Sequence, residues 1–420
     1  EPMAAMSTDE ACSETQATRL VQVWTKHETG GRLRDGSRAW EASLAATPEI
    51  KLVRGEVEDA SQVRSDDGND GKNKNASAFR ASAFFDALTT STEAHVLYTA
   101  RELQSTQSML QENLSNLNPK GSSSAENETL ETLERGSRFP PGALVLADCQ
   151  IGGRGRGGSV WTSPPGCLLF SFSTTHTVGA TLPFLQYVAT MAAVDAIQEG
   201  ADAAIAAAAA EYSQQDLSSL EKNKGYLGDK FRRGTGGAVD VRIKWPNDLY
   251  SGGAKIGGVL CTSTFVDGQF DVVIGVGINL DNETPTTCVN EIIAKRWEEL
   301  LREANGSGSE STENTYITPE PTSREHITAS FMNRFEALAG LLNASDSFAS
   351  LEPSYLRQWL HTEQSVVLEE PGGNVQVTVK GLTKSGYLLA NDSSGQRFEL
   401  HPDGNSFDFF KGLVRKKLAN

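Results

Sequence analysis

The sequence predicts an α+β architecture: a mixed sheet with helices, followed by a small all-β domain. Three observations carry this expectation. Between residues 95 and 342, short apolar runs rich in β-branched residues alternate with segments whose apolar residues recur at helical spacing. From residue 362 onward, apolar and polar residues alternate over short runs separated by close turns. Three polar stretches, 118–138, 200–238 and 303–323, interrupt the first part without changing its pattern, and so read as insertions. A chain of 420 residues is long enough for one large core and a smaller unit.

The elements follow in order. Residues 1–77 are acidic and polar and are expected to form a poorly defined extension, with 61–77 as a linker into the folded part. His95 to Tyr98 reads as a strand. Residues 107–117 carry Met109, Leu110, Leu114 and Leu117 at helical spacing, with Ser105 or Thr106 as the N-cap. Ala143 to Ala147 and Cys167 to Phe172 are continuous apolar strands. Pro183 opens a helix that Gly200 is expected to close, with Leu185, Val188, Ala192 and Ile197 along one side. The alanine run after Gly200 has helical propensity of its own. Val241 to Trp245 is a strand ended by Pro246. Lys255–Leu260 and Val272–Val276 are strands joined through Asp267-Gly268. Ile327, Phe331, Phe335, Leu338 and Leu342 mark a late helix. Beyond 362, Val375, Val377 and Val379, then Tyr387-Leu388-Leu389 and Phe398-Glu399-Leu400, suggest a small antiparallel barrel.

Composition excludes several classes. The net charge of −16 argues against general nucleic-acid binding, which needs a basic footprint. The basic group Lys411, Arg415, Lys416 and Lys417 reads as a solvated end. No apolar run approaches a membrane span of about 20 residues. Cys12, Cys149, Cys167, Cys261 and Cys288 are scattered without metal-ligand spacing, so free thiols in a reducing compartment and no protein-held metal are expected. The chain begins at Glu1 rather than Met, so the native start is expected upstream; no targeting signal is read from 1–77.

Three motifs carry chemistry. Residues 152–158 set Arg154 and Arg156 among five glycines, and Ser159-Val160-Trp161 follow. Guanidinium groups suit phosphates and carboxylates, and glycine lets the backbone come close to them. Gly153, Gly155 and Gly158 formally spell a dinucleotide turn. That fold needs a helix starting at the loop, whereas Pro164-Pro165-Gly166 follow, and no acidic residue stands about 20 positions on. An RNA-binding Arg-Gly tail is disfavoured because the segment is single and flanked by apolar strands. The second motif is Lys244-Trp245-Pro246-Asn247-Asp248, with Lys255 seven residues after the aspartate and Gly257-Gly258 beside it. Alone, Asn-Asp after proline could be an Asx-turn and Lys255 a surface residue. The third is Gly275-Val276-Gly277-Ile278-Asn279, which alone could reflect close strand packing.

Together, in this order and spacing, the motifs resemble those of biotin protein ligases, including the eukaryotic holocarboxylase synthetases. The resemblance spans residues 80–417 and implies a class II aminoacyl-tRNA-synthetase-like domain over 78–361, with an SH3-like barrel over 362–420. It implies an enzyme that uses biotin and MgATP to form biotinyl-5′-AMP. The biotin then passes to a lysine of a biotin-carrier domain on a carboxylase such as acetyl-CoA carboxylase. A cytoplasmic location is expected, with an organellar form as the alternative.

The resemblance also assigns residues. Ser105, Thr106 and Gln150 fall at the positions for the ureido head of biotin, with Gly257 and Gly258 nearby. Lys255 and Arg156 are the catalytic candidates, Lys255 meeting both the biotin carboxylate and the α-phosphate. Arg154 and Arg156 would hold tail and phosphate from a closing loop. Trp161, Asn247, Asp248 and Asn279 fall on the nucleotide side. Mg²⁺ would ride mainly on ATP oxygens. Many bacterial members carry a third arginine where Ser159 stands; the shorter loop resembles the eukaryotic form. No helix-turn-helix is evident before residue 80, so repression of transcription is not expected. The alternatives are a lipoate or octanoyl transferase of the same fold, and a non-catalytic biotin- or RNA-binding protein.

Overall fold

The alternation of strands and helices assembles into a large mixed sheet with helices on both faces. The computed structural model describes residues 19–25, 50–54, 79–115, 142–215, 237–305, 317–370, 373–402, 405–408 and 413–416. Its strands up to residue 279 are β1 (Arg19–Thr25), β2 (Ile50–Arg54), β3 (Val96–Leu103), β4 (Ala143–Gln150), β5 (Gly153–Arg154), β6 (Val160–Trp161), β7 (Cys167–His176), β8 (Arg242–Lys244), β9 (Asp248–Ser251), β10 (Ala254–Val266) and β11 (Gln269–Asn279). The main sheet runs β2-β1-β3-β4-β7-β11-β10-β9-β8 among the described residues. The β1/β2 and β3/β4 pairs are parallel and the rest antiparallel, so the sheet is mixed, as predicted.

The helices are α1 (Ala81–Ala87), α2 (Thr106–Ser115), α3 (Leu185–Gln215), α4 (Val289–Asn305), α5 (Arg324–Ser345) and α6 (Glu352–Gln358). The late helix α5 shows how the sequence pattern becomes packing. Ile327, Phe331 and Phe335 recur every four residues and are fully buried. Phe331 meets Phe170 of β7 edge-on at 5.1 Å, and Phe335 meets Phe172 at 4.8 Å. Each such ring contributes about 1.5–3 kcal/mol through burial, and favourable edge contacts add to it. Ser323 caps this helix by accepting the His326 N–H at 3.2 Å. The opposite sheet face is covered by α2, where Leu110 packs with Tyr98, Val145 and Val273.

Two expectations are corrected. Gly200 does not end its helix: α3 continues through it to Gln215, taking in the alanine run. The glycine serves packing instead. A Cβ there would lie 2.8 Å from Ile327 Cδ1 and 2.9 Å from Thr322 Oγ1, so a bare backbone lets α3 approach α5. Second, the 1–77 extension contributes β1 and β2. β1 covers the edge of β3 in antiparallel register, Val21 opposite Ala100. Such pairing across more than 70 residues has no local signature. The linker 61–77, Cys12, Lys411, Lys417, the insertion at 118–138, and most of those at 200–238 and 303–323 lie outside the described residues.

The C-terminal part forms a second sheet from β12 (Ser365–Glu370), β13 (Gly373–Leu382), β14 (Leu388–Asp392), β15 (Arg397–Leu400), β16 (Asn405–Asp408) and β17 (Leu413–Lys416), ordered β15-β14-β13-β12-β17-β16. It is antiparallel except for β12/β17, where the domain's last strand returns parallel to its first. Cys167, Cys261 and Cys288 are free thiols, in line with the sequence reading. Cys149 departs from it, being disulfide-bonded, because sequence spacing does not reveal spatial neighbours.

One buried carboxyl has a stability consequence. Glu93 is pushed up to about 7 by burial, against the Thr174 hydrogen bond and with help from the Glu336 charge. Its Oε1 accepts the Thr174 hydroxyl at 2.8 Å, while Oε2 is buried without a protein partner among the described residues. An unfolded glutamate ionises near 4.5, so the folded form binds the extra proton between the two values. Stability is therefore lost as pH rises from about 4.5 to 7 and stays reduced above. Glu93→Gln is expected to match wild type at pH 4.5 and to exceed it by about 3 kcal/mol at pH 8. Urea denaturation of both proteins at the two pH values checks this.

Candidate active site

The three sequence motifs converge on one cleft of about 270 Å³ on the α2 side of the sheet. Its polar end is built where α2 begins. Ser105 caps that helix, accepting the Ser108 N–H at 3.4 Å. Thr106 is not the cap. Its N–H donates to Gln150 Oε1 at 2.7 Å and its hydroxyl lies 2.8 Å from that of Ser171. Ser105 and Thr106 are buried, at 2% and 3% exposure, which makes this a wall of neutral hydrogen-bonding groups. Leu260 and the Trp161 ring supply apolar surface beside it, while Phe170, Val259 and Val276 turn their side chains into the core on the other face.

The Gly/Arg segment is a hairpin. β5 pairs with β6, setting Gly153 opposite Trp161 and Arg154 opposite Val160. At its tip Gly157 and Gly158 take left-handed φ of 66° and 79°, with open space around both. Glycine adopts this conformation at little steric cost. Arg156 enters the tip and lines the cleft, while Arg154 donates to Gln111 Oε1 at 3.3 Å.

Trp161 folds back over the sheet. The space it occupies exists because residue 277 is glycine: a Cβ there would lie 2.9 Å from the indole. At Gly275 a Cβ would come within 2.4 Å of Gln107 Oε1. The Gly-x-Gly strand thus clears room for one aromatic and one amide. The Trp161 indole N–H is buried without a protein partner among the described residues, leaving a donor for a ligand.

Lys255 sits at a register shift within the β9/β10 pairing, between Lys255 and Gly257. A bulge re-aims side chains, and here the ammonium reaches Asp248 Oδ1 at 2.7 Å and stands 5.5 Å from the Trp161 ring centre. Asp248 follows Asn247, whose amide donates to Val259 O at 2.8 Å while Val259 N–H returns a bond to Asn247 O at 2.9 Å. Asn247 therefore clamps β10 to the turn as well as lining the cleft.

The turn is anchored upstream. The Trp245–Pro246 peptide is cis. Trp245 N–H donates to His361 Nε2 at 2.9 Å, and the Trp245 indole N–H donates to the Tyr187 hydroxyl at 2.7 Å. His361 is fully buried, and that burial pushes its imidazole down to about 4, so it stays neutral and able to accept.

Of the sequence-assigned residues, Ser105, Thr106, Gln150, Arg154, Arg156, Trp161, Asn247, Asp248, Lys255 and Gly258 line the cleft. Gly257 and Asn279 do not. Gly257 packs against β11, where a Cβ would meet Gly277 O at 2.9 Å. Asn279 is 5% exposed and donates to Thr286 Oγ1 at 2.9 Å; that hydroxyl donates to Lys255 O at 2.7 Å. The asparagine thus braces the Lys255 backbone through Thr286. Gln107, Ser171, Gly275 and Gly277 also line the cleft, beyond the ligand contacts that the sequence motifs mark. Adjacency to Thr106 was the one available signal for Gln107.

Comparison with known proteins follows the same lines. The model of the Biotin/lipoate A/B protein ligase family matches residues 122–279, and that of the Biotin protein ligase C terminal domain matches residues 361–412. Biotin–protein ligase 2 of Arabidopsis thaliana is 40% identical over 288 residues, covering 67% of this chain and 72% of that protein. Biotin–protein ligase 1, chloroplastic, of the same plant is 40% identical over 286 residues, 67% of this chain and 64% of that protein. The Homo sapiens biotin–protein ligase is 31% identical over 281 residues, and the match spans 32% of its length. The chain thus spans less than two thirds of two of these three relatives.

Proposed function

The chain belongs to the biotin protein ligase family, and from that membership we propose that it activates biotin with ATP and transfers it to protein. In the first step a biotin carboxylate oxygen attacks the α-phosphorus of ATP. The bond to the β-phosphate breaks, giving biotinyl-5′-AMP and pyrophosphate. In the second step a lysine amine attacks the acyl carbon, AMP leaves and the amine proton is lost. The acceptor is a biotin-carrier domain of a carboxylase, of the acetyl-CoA carboxylase kind.

The observation that carries this reading is one cleft lined by buried neutral hydrogen-bonding groups, by the apolar surfaces of Leu260 and Trp161, and by the cations Arg154, Arg156 and Lys255. Biotin has a neutral ureido head, an apolar bicycle and an anionic tail. Ser105, Thr106 and Gln150 receive the head. The carboxylate and the α-phosphate repel one another as they close, and Lys255 offsets that repulsion with its ammonium. Arg154 and Arg156 hold phosphate and tail from the hairpin, and the hairpin shields the mixed anhydride from water. Trp161 packs against the adenylate. Asn247 and Asp248 border the nucleotide, and Asn279 acts through Thr286 on Lys255.

Among the described residues no group of three His, Cys, Asp or Glu side chains is set to hold an ion, and Asp248 is the carboxylate lining the cleft. That donor set fits Mg²⁺ carried mainly by phosphate oxygens, where it neutralises triphosphate charge. None of the described helices is long and apolar enough to cross a membrane. We assign the activity to the cytoplasm, with an organellar form as the alternative that a chloroplastic relative supports.

Incubation with labelled biotin, MgATP and an apo carrier domain tests the proposal. The expected result is ATP-dependent label on one carrier lysine, with lipoate a poor substitute. Lipoylation without biotinylation would sink it.

A further inference from the structure

The segment that leads into the C-terminal domain pairs with the catalytic sheet. Trp359 bridges Ile243 of β8 in parallel, and Leu360 N–H donates to Ile243 O at 2.9 Å. This carries His361, the first residue of the matched C-terminal region, onto the Lys-Trp-Pro-Asn-Asp turn. There Nε2 accepts the Trp245 N–H at 2.9 Å, while Nδ1 lies 2.9 Å from Gln364 Oε1. With Trp245 N–H as donor to Nε2, the ring proton belongs on Nδ1 and Gln364 accepts it, which sets the tautomer. Pro246 has no N–H, so Trp245 N–H is the donor that anchors entry into the turn. The far end of Trp245 is held from the same domain. Its indole N–H donates to the Tyr187 hydroxyl and, at 3.3 Å, to Gly386 O, and the Tyr187 hydroxyl itself donates to Gly386 O.

We propose that His361 is a positioning residue for biotin activation: by accepting the Trp245 N–H it fixes the turn that presents Asn247 and Asp248 and, through Asp248, the Lys255 ammonium. The C-terminal domain thereby supports the active site from outside the cleft lining, which among the described residues includes neither His361 nor Gly386. A buried N–H that loses its acceptor must find another, and the turn can do so only by moving. A shift of about 1 Å in a catalytic group costs about 100-fold in rate. This inference rests on the ligase reading above.

The test is biotin-dependent pyrophosphate–ATP exchange by the full chain, comparing His361→Gln, His361→Asn and His361→Leu. Glutamine carries its amide oxygen where the ring holds Nε2; asparagine places it near Nδ1, short of Trp245. His361→Gln is expected to keep kcat within about threefold of wild type, and His361→Asn and His361→Leu to lose about 100-fold, with the biotin KM of all three little changed. The Gln/Asn contrast stands even if the leucine variant fails to fold, because both polar variants keep a hydrogen-bonding side chain. Equal activity of the glutamine and asparagine variants, or a loss confined to the biotin KM, overturns the proposal. Absence of exchange in wild type would instead overturn the ligase reading, so the two failures are distinguishable.

Discussion

Lys255→Ala is expected to slow biotin-dependent pyrophosphate release by about 1,000-fold, the upper range for removing one preorganised charge from a transition state. The ammonium is positioned by three features that do not depend on a ligand: the β10 bulge, the Asp248 carboxylate at 2.7 Å, and the Trp161 ring. The reaction brings a carboxylate and a phosphate together, so a cation at their junction acts more strongly on the transition state than on either substrate alone. Stability should change little. The Lys255 side chain is 39% exposed, and an ion pair so close to solvent contributes about 0–1 kcal/mol. The checks are single-turnover pyrophosphate release and a thermal melt of both proteins. An unchanged rate with an unchanged melt would remove Lys255 from the chemistry.

Arg156→Gly is expected to release the adenylate rather than abolish its formation. Arg156 sits in the hairpin tip beside Gly157 and Gly158, whose surroundings are open, so the tip can move; in the proposed reaction the guanidinium is its grip on the anion. A charge-assisted hydrogen bond is worth about 1.5–3 kcal/mol, so its loss should speed escape of biotinyl-5′-AMP by about 10- to 150-fold. Escaped adenylate acylates any accessible amine. Mixing the variant with a bystander protein, labelled biotin and ATP should therefore label lysines on the bystander, while wild type labels the carrier domain alone. Tight retention of adenylate by Arg156→Gly would refute the grip.

Much of the site was readable in the chain because its residues come in short blocks. Arg154, Arg156 and Trp161 lie within one hairpin, and Asn247, Asp248, Lys255 and Gly258 within one strand–turn–strand unit. Local spacing keeps such residues together whatever the rest of the fold does. Asn279 shows where this stops. It belongs to the third motif and shares a strand face with Gly275 and Gly277, yet it stands at the strand's end, where its amide bonds Thr286 instead of lining the cleft. Gln107 shows the converse. It enters the cleft because Gly275, some 170 residues later in the chain, leaves the space it fills.

The strand and helix periods, the order of the motifs and the small β domain were set by sequence alone, because each depends on neighbours within about a dozen residues. They were enough to mark the family. Only the tertiary structure decided that α3 runs past Gly200, that β1 covers β3, and that His361 holds the turn leading to Asp248 and Lys255. Each of these depends on a contact between residues more than 70 positions apart. Such contacts form only when the whole sheet closes, and no spacing along the chain encodes them.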